Sequence, residues 1–174
     1  MKPHEEHRSR GKKSISISVI TVSTSRYEKI KEKKPFTDES ADRAEKLIKE
    51  SGFNLKSRKV VDDHKGLIRL EVLKSIYEEG CDAVILTGGT GLSSRDVTVE
   101  AIRPLLDKEL EGFPEIFRTE SFKSVGSAAY LTRTVAGSLD GRLIFCLPGS
   151  PDAVELGLKL LLPELPHALY IAGT

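Results

Sequence analysis

The chain has 174 residues, of which 39% are hydrophobic, and this is enough for one domain with one sizeable core. Its formal net charge is only +1, from 27 basic and 26 acidic residues. The overall charge therefore gives no reason to expect a nucleic acid or an anionic membrane as partner. The two cysteines, Cys81 and Cys146, form no metal-spaced pair, and no apolar run reaches the roughly 20 residues of a membrane span. We expect a reduced, cytoplasmic protein without a disulfide framework.

The chain is predicted to comprise a short tail and a single domain. Residues 1–13 are charged and lack the apolar segment of a signal peptide, so they are predicted to form a flexible tail. Residues 14–174 form the domain. Its first strand is predicted at 15–22, where apolar and small polar residues alternate, and the polar, lysine-rich stretch 23–39 is predicted to be a long loop.

Helix and strand patterns then alternate. A helix capped by Asp38 or Ser40 is expected to run to about residue 51, with Ala41, Ala44, Leu47 and Ile48 on its buried side. A second strand follows at 53–61. A helix after Asp62 and Asp63 is expected to reach about residue 79. The short, β-branched and apolar run 82–86 predicts a strand that is covered on both faces.

The rest of the chain, from residue 97 onwards, contains further predicted helices and strands. The sequence predicts a helix at 97–109 that bends at Pro104, and another at 114–123. Two strands at 134–138 and 143–147 flank an Asp-Gly turn and should form an antiparallel edge. A last helix opens at Pro151. The apolar residues of 165–174 either cover an interface or belong to an end that frays.

This alternation predicts an α/β fold: three layers, α/β/α, with a mostly parallel sheet and an antiparallel edge. Ligands of such sheets bind outside the carboxyl ends of the strands. Four segments should meet there: 23–26, 62–63, the glycine turn 87–91 and 148–151.

The glycine turn is the most informative of these segments. Gly88, Gly89 and Gly91 permit positive φ, and they lack the Cβ atoms that would hold a ligand away from the backbone. Successive N–H groups can then converge on an anion such as phosphate. The spacing matches neither the Walker motif nor the dinucleotide motif, and by itself it fits a merely tight strand-to-helix turn equally well.

Several short motifs together resemble one known family. They are, in chain order, VITVSTSR (19–26), TGGTG (87–91), RDVT (95–98), DKELEGFPEIFR (107–118) and PGSP (148–151). They are similar to those of the molybdenum cofactor proteins MoaB and MogA and of the related domain of gephyrin, over about residues 15–162. The resemblance implies that family's α/β fold, assembled as trimers or hexamers.

The resemblance also implies an activity, the adenylylation of molybdopterin. The pterin's phosphate attacks the α-phosphorus of Mg-ATP, which gives adenylyl-molybdopterin and pyrophosphate. A MoeA-type metal-insertion protein is the implied downstream partner. By resemblance the catalytic carboxylates are Asp62 and Asp96, with Asp63 as a close alternate, and all three are candidates to position Mg²⁺.

The implied substrate-binding residues come from all four segments. They are Ser23, Thr87, Gly88, Gly89, Thr90, Gly91, Ser94, Arg95, Pro148, Gly149 and Ser150. The glycines would cradle nucleotide phosphate, the hydroxyls would face the pterin or phosphate groups, and Arg95 offers a cation to an anion. Thr24 and Arg26 lie in the same region without an assigned role.

Each carboxylate also has a simpler interpretation. Asp96 precedes a predicted helix and is a favoured N-cap residue, and Asp62 or Asp63 can cap the helix after them. Glu100 fits a first-turn residue that interacts with the helix dipole. At the level of function two alternatives stay open: a non-catalytic molybdopterin-binding or scaffold protein of the same pathway, and a nucleotide-processing enzyme of the CinA type.

Overall fold

The computed structural model describes residue 12 and residues 14–174, so the tail predicted for 1–13 lies outside the described residues except at Lys12. Within these described residues, six strands form one sheet. They are β1 (Ser16–Val22), β2 (Asn54–Val61), β3 (Ala83–Thr87), β4 (Lys108–Glu109), β5 (Val135–Leu139) and β6 (Arg142–Leu147). The strand order is β2-β1-β3-β6-β5-β4; β2, β1, β3 and β6 run parallel, whereas β5 and β4 are antiparallel additions. The predicted mostly parallel sheet with an antiparallel edge is confirmed.

Helices cover both faces of the sheet. They are α1 (Thr24–Lys31), α2 (Glu39–Glu50), α3 (Lys65–Leu73), α4 (Thr98–Ile102), α5 (Gly112–Val125), α6 (Pro151–Leu161) and α7 (Leu165–Ala172). A π-helical turn (Lys74–Glu78) prolongs α3, and 3₁₀ turns follow α4, α5 and α6. One hydrophobic core joins the sheet to α2, α5, α6 and α7, and a second joins it to α3 and α4. The result is the expected three-layer α/β/α arrangement.

The central strand β3 shows why the apolar run predicts this position. Ala83 and Ile85 point into the first core, whereas Val84 and Leu86 point into the second. All five residues of β3 are buried. Because successive side chains of a strand face opposite sides, a strand between two helical layers needs apolar residues at every position.

Two predictions of secondary structure are wrong. Residues 23–39 contain the helix α1, which Ser23 caps by accepting from Arg26 N at 3.4 Å. This helix buries none of its residues, so it lacks the apolar periodicity by which a helix is recognised. Residues 97–109 are helical only to Leu105; Lys108 and Glu109 then pair with β5. That short edge pairing depends on a strand distant in sequence, which local patterns do not reveal.

The carboxyl-terminal segment belongs to the core of the domain. Leu165 and Leu169 of α7 are buried in the first hydrophobic core, and Ile171 remains exposed. The expectation of an interface is therefore wrong for the first two residues. Within the described residues, no helix is long and apolar enough to span a bilayer. Cys81 and Cys146 are free and buried; burial raises the pKa of Cys81 to about 11 and raises the pKa of Cys146 further.

The β5–β6 hairpin provides a matched test of backbone conformation. Its two loop residues both have positive φ, 47° at Asp140 and 72° at Gly141, as type I′ turns require. We expect Gly141→Ala to lower the free energy of unfolding by about 1 kcal/mol, because an alanine is strained in this region. Gly112→Ala, at the start of α5 with open space around its added Cβ, should raise it by about 0.4–1 kcal/mol. Denaturant unfolding of both variants measures the difference, and equal effects would contradict this explanation.

Candidate active site

Loops after β1, β2, β3 and β6 meet at the carboxyl edge of the sheet. Ser23 N donates to the carbonyl oxygen of Val61 at 2.9 Å, and Gly88 N donates to that of Leu147 at 3.0 Å. A Cβ added to Gly149 would lie 3.2 Å from Gly88 Cα. The predicted convergence of four segments is thus present, as expected for parallel strands whose carboxyl ends share one edge.

The glycine turn is held tightly between β1 and α4. Gly88 and Gly89 have φ of 93° and 65°. A Cβ on Gly88 would lie 2.6 Å from the carbonyl oxygen of Val22, and one on Gly89 would overlap Thr98 Oγ1. Thr98 donates from its N to Gly89 O and from its Oγ1 to Gly88 O, each at 2.9 Å. Only glycine fits these two positions, because they combine positive φ with close neighbours.

Two small cavities open on either side of Asp96. The first, of about 360 Å³, is lined by residues 88–91, Asp96, Leu131, Thr132, Pro148 and Gly149. The second, of about 290 Å³, is lined by Lys65, Gly91, Leu92, Ser93, Ser94, Asp96, Val97, Glu100 and Arg133. The backbone of the glycine turn therefore borders a space that reaches the Asp96 carboxylate.

Asp63 faces the glycine turn. Its Oδ1 lies 2.9 Å from the position that a Cβ on Gly89 would occupy, and its Oδ2 accepts from Thr24 N at 3.1 Å. Partial burial raises the pKa of Asp63, and the charges of Asp96 and Asp62 raise it further, although the bonds from Thr24 act in the opposite direction. Two neighbouring carboxylates therefore disfavour the ionised form of Asp63 at this edge of the sheet.

Asp62 occupies a different position from Asp63. Its Oδ1 accepts from Thr24 Oγ1 at 2.6 Å. Neither residue caps α3, because His64 does so by accepting from Leu67 N at 3.4 Å. The helix-cap interpretation of Asp62 and Asp63 is therefore wrong, and both carboxylates are instead tied to the start of α1.

Asp96 is not a helix cap either. The helix α4 begins at Thr98 after Val97, which makes no side-chain capping bond. Asp96 Oδ2 accepts from Ser93 N at 3.0 Å and lies 2.7 Å from the position that a Cβ on Gly91 would occupy. The glycine at position 91 therefore makes room for this carboxylate, which borders both cavities.

The acidic cluster is suited to a shared cation. Among the described residues, no three or more His, Cys, Asp and Glu side chains are grouped so that they alone could hold a metal. Mg²⁺ commonly binds through one or two carboxylates together with substrate phosphates and several waters. Burial is the main cause of the raised pKa of Asp63, and a cation would offset the smaller contribution from the charges of Asp96 and Asp62. Asp63 and Asp96 are therefore suited to bind Mg²⁺ together with substrate phosphates and waters.

The other predicted binding residues fall into two groups. Thr90, Pro148 and Gly149 line the first cavity, as the glycine turn does, and Ser94 lines the second. By contrast, Arg95 is exposed and lines neither cavity.

Hydroxyl groups at the ends of the strands have mostly local roles. Ser150 caps α6 by accepting from Ala153 N at 3.3 Å, and Ser23 caps α1. Thr87 is buried at the end of β3, where its Oγ1 has no hydrogen-bond partner among the residues that the structure describes. Arg26 donates from Nε to the carbonyl oxygen of Thr37 at 2.9 Å and so holds the segment that follows α1.

Sequence reasoning missed Arg133, Leu131 and Thr132. Leu131 ends a 3₁₀ turn (Gly126–Leu131), Thr132 and Arg133 follow it, and the fold brings all three beside the glycine turn and Asp96. Arg133 pairs with Glu100, which places the predicted first-turn residue of α4 in an ion pair. No local pattern marks these residues, because their partners lie more than thirty positions away.

A known protein family matches most of the chain. Residues 18–167 match the family model MoCF_biosynth, whose description is "Probable molybdopterin binding domain". The "Molybdenum cofactor biosynthesis protein B" of Bacillus cereus is 39% identical over 167 residues, 95% of each chain. The "Probable molybdopterin adenylyltransferase" of Methanocaldococcus jannaschii is 39% identical over 157 residues, 90% of this chain and 93% of the relative.

A solved structure agrees with these sequence relatives. A crystal structure of a molybdenum cofactor biosynthesis protein B has a TM-score of 0.83 and 39% identity, covering 92% of this chain and 96% of its own. The family model spans most of the chain, and relatives and structure match nearly all of it. The resemblance carried by the motifs is confirmed: the chain belongs to the MoCF_biosynth family of molybdopterin-binding domains, with MoaB and MogA as its structural neighbours.

Proposed function

We propose that the chain acts in molybdenum cofactor biosynthesis as a molybdopterin adenylyltransferase, which transfers AMP from Mg-ATP to molybdopterin. The observation that carries this proposal is the pair of carboxylates, Asp63 and Asp96, beside a glycine turn at the carboxyl edge of the sheet. Relatives named as molybdenum cofactor biosynthesis protein B and as molybdopterin adenylyltransferase support it.

The reaction exchanges one phosphoanhydride bond for another. An oxygen of the pterin's phosphate attacks the α-phosphorus of ATP, the new P–O bond forms, and the bond from the α-phosphorus to the bridging oxygen breaks as pyrophosphate leaves. Such transfers need alignment and charge neutralisation more than a covalent nucleophile. The backbone amides of 89–91 would bind phosphate oxygens, because no side chain at Gly89 or Gly91 obstructs them. The Gly88 amide is already bonded to the carbonyl oxygen of Leu147.

The aspartates would supply the remaining part of the site. Mg²⁺, when bound, would neutralise phosphate charge. Asp63 and Asp96 would hold it, since both carboxylates border the glycine turn. Asp62 would act from beside Thr24, whose hydroxyl and backbone N–H orient the two adjacent carboxylates.

The test is formation of adenylyl-molybdopterin by the purified chain from Mg-ATP and molybdopterin. We expect product and pyrophosphate in equal amounts, and no product when EDTA removes Mg²⁺. Pterin binding without product would contradict transfer and support a scaffold protein of the pathway. Nucleotide hydrolysis without any pterin would instead support a CinA-type enzyme.

We also infer that the chain self-associates and hands its product to a MoeA-type metal-insertion protein in the cytoplasm. Exposed apolar side chains on α5, Ile116, Phe122 and Val125, support the first part, because apolar surface of this kind commonly marks an interface. Light scattering should give three or six times the 19.2 kDa chain mass. A mass of one chain would contradict self-association without bearing on the reaction.

A further inference from the structure

Arg133, which lies just before β5, contacts both ends of the segment that carries Asp96. Its Nε donates to the carbonyl oxygen of Thr90 at 3.2 Å, and its Nη2 donates to the carbonyl oxygen of Asp96 at 3.4 Å. Its Nη atoms also bond both carboxylate oxygens of Glu100, in the first turn of α4. The guanidinium of Arg133 thus connects the start of β5 to the end of the glycine turn and to α4.

The segment 91–96 has few other attachments. Within the described part of the chain, its remaining hydrogen bonds join its own members: Asp96 N to Ser93 O, Ser93 N to Asp96 Oδ2, and Arg95 N to Ser93 Oγ. Such bonds define the shape of a loop but do not fix its position against the sheet. Arg133 supplies that fixed attachment.

The chemistry of the contact requires an arginine. The planar guanidinium presents several donors in a rigid fork, whereas a lysine is a point charge on a flexible stem. The bond from Arg133 lowers the pKa of Glu100, so this pair stays ionised at neutral pH. Because Glu100 neutralises its charge, Arg133 acts as a crosslink rather than as a free cation for substrate phosphate.

We propose that Arg133 is a positioning residue, which sets the Asp96 carboxylate against the glycine turn by holding the carbonyl groups of Thr90 and Asp96 beside β5. Its effect on catalysis rests on the proposed function. Its effect on the order of segment 91–96 does not, so the two are measured separately.

The first measurement is amide hydrogen exchange with mass spectrometry on the whole chain. In Arg133→Met, exchange of 91–96 should rise at least about tenfold, because the segment opens more often, while exchange in β1 and β3 stays as in the wild type. Arg133→Lys should fall between the two. The control is Arg103→Met, which removes an exposed pair with Glu109 (2.9 Å) and should leave exchange of 91–96 unchanged.

The second measurement is steady-state adenylyl transfer. In Arg133→Met, kcat should fall about 100-fold, as expected when a reacting group is displaced, while KM for ATP changes less than about threefold. Arg103→Met should keep both constants. A fall in kcat without faster exchange of 91–96 would overturn the proposal, as would faster exchange throughout the sheet.

Glu100→Gln keeps the two contacts of Arg133 with carbonyl oxygens and weakens only the ion pair, so exchange of 91–96 should stay close to that of the wild type. If Arg133→Met does not fold, Arg133→Lys decides: faster exchange confined to 91–96 supports the proposal, and wild-type exchange overturns it. If the wild type forms no adenylyl product, the proposed function fails, yet the exchange measurement still determines the role of Arg133.

Discussion

Asp96→Asn is expected to lower kcat/KM for adenylyl-molybdopterin formation by about 100- to 1000-fold, the usual scale for losing one preorganised electrostatic group. The substitution removes the negative charge between the two cavities but preserves the side-chain shape. An asparagine oxygen can still accept from Ser93 N, as Asp96 does at 3.0 Å. The fold of segment 91–96 should therefore survive, and the loss should come from chemistry.

Rates, pterin binding and denaturant unfolding should be measured on the same preparation. Asp152→Asn is the matched control, because the Asp152 side chain is 95% exposed and its carboxylate pairs with Arg43 at 2.8 Å; it should retain wild-type rates. Activity within about threefold of the wild type in Asp96→Asn would remove this carboxylate from the mechanism.

The same assay separates the two neighbouring aspartates. Asp63→Asn is expected to lose more activity than Asp62→Asn, because the Asp63 carboxylate faces Gly89 and interacts electrostatically with Asp96. Asp62 contacts Thr24 Oγ1 instead. The opposite order of effects would make Asp62 the more important of the two carboxylates for catalysis, as the family resemblance by itself implies.

Asp82→Ala is expected to lower the free energy of unfolding by about 2–3 kcal/mol, since it leaves a buried donor unpaired and removes charge-assisted bonds. The Asp82 side chain is only 2% exposed. It accepts from Ser16 N at 2.9 Å and Lys12 Nζ at 2.7 Å, and it pairs with Arg142 at 3.4 Å. This carboxylate thus joins the starts of β1, β3 and β6 at the edge opposite the site.

Calorimetry should show a fall in melting temperature of roughly 5–10 °C for Asp82→Ala. Asp42→Ala serves as the control, because the Asp42 side chain is 66% exposed and its pair with Arg58 belongs to the surface class worth less than about 1 kcal/mol. Equal stability losses in the two variants would contradict the role given to Asp82. Adenylyl transfer at low temperature should be retained in both.

Most helices and strands of the fold could be predicted from local sequence patterns. The apolar run at β3, the amphipathic helix α2 with its Asp38 cap, and the Asp140–Gly141 hairpin each carry their signal within a few residues. Strands and helices in alternation then restrict the sheet to a parallel, doubly covered form. The elements that failed, α1 and β4, lack such a signal: α1 buries no residue, and β4 is two residues long and exists through its pairing with β5.

The glycine turn, the three aspartates and the family could also be predicted from the sequence, because each is recognised by the residue types within a short segment. Tertiary structure decided which group faces which. It placed Asp63 rather than Asp62 against Gly89, positioned Asp96 so that it does not cap α4, and brought Arg133 to Thr90 and Glu100. These relations join residues far apart in the chain, and they depend on how loops of different strands pack at one sheet edge, a property that no periodicity within a single segment encodes.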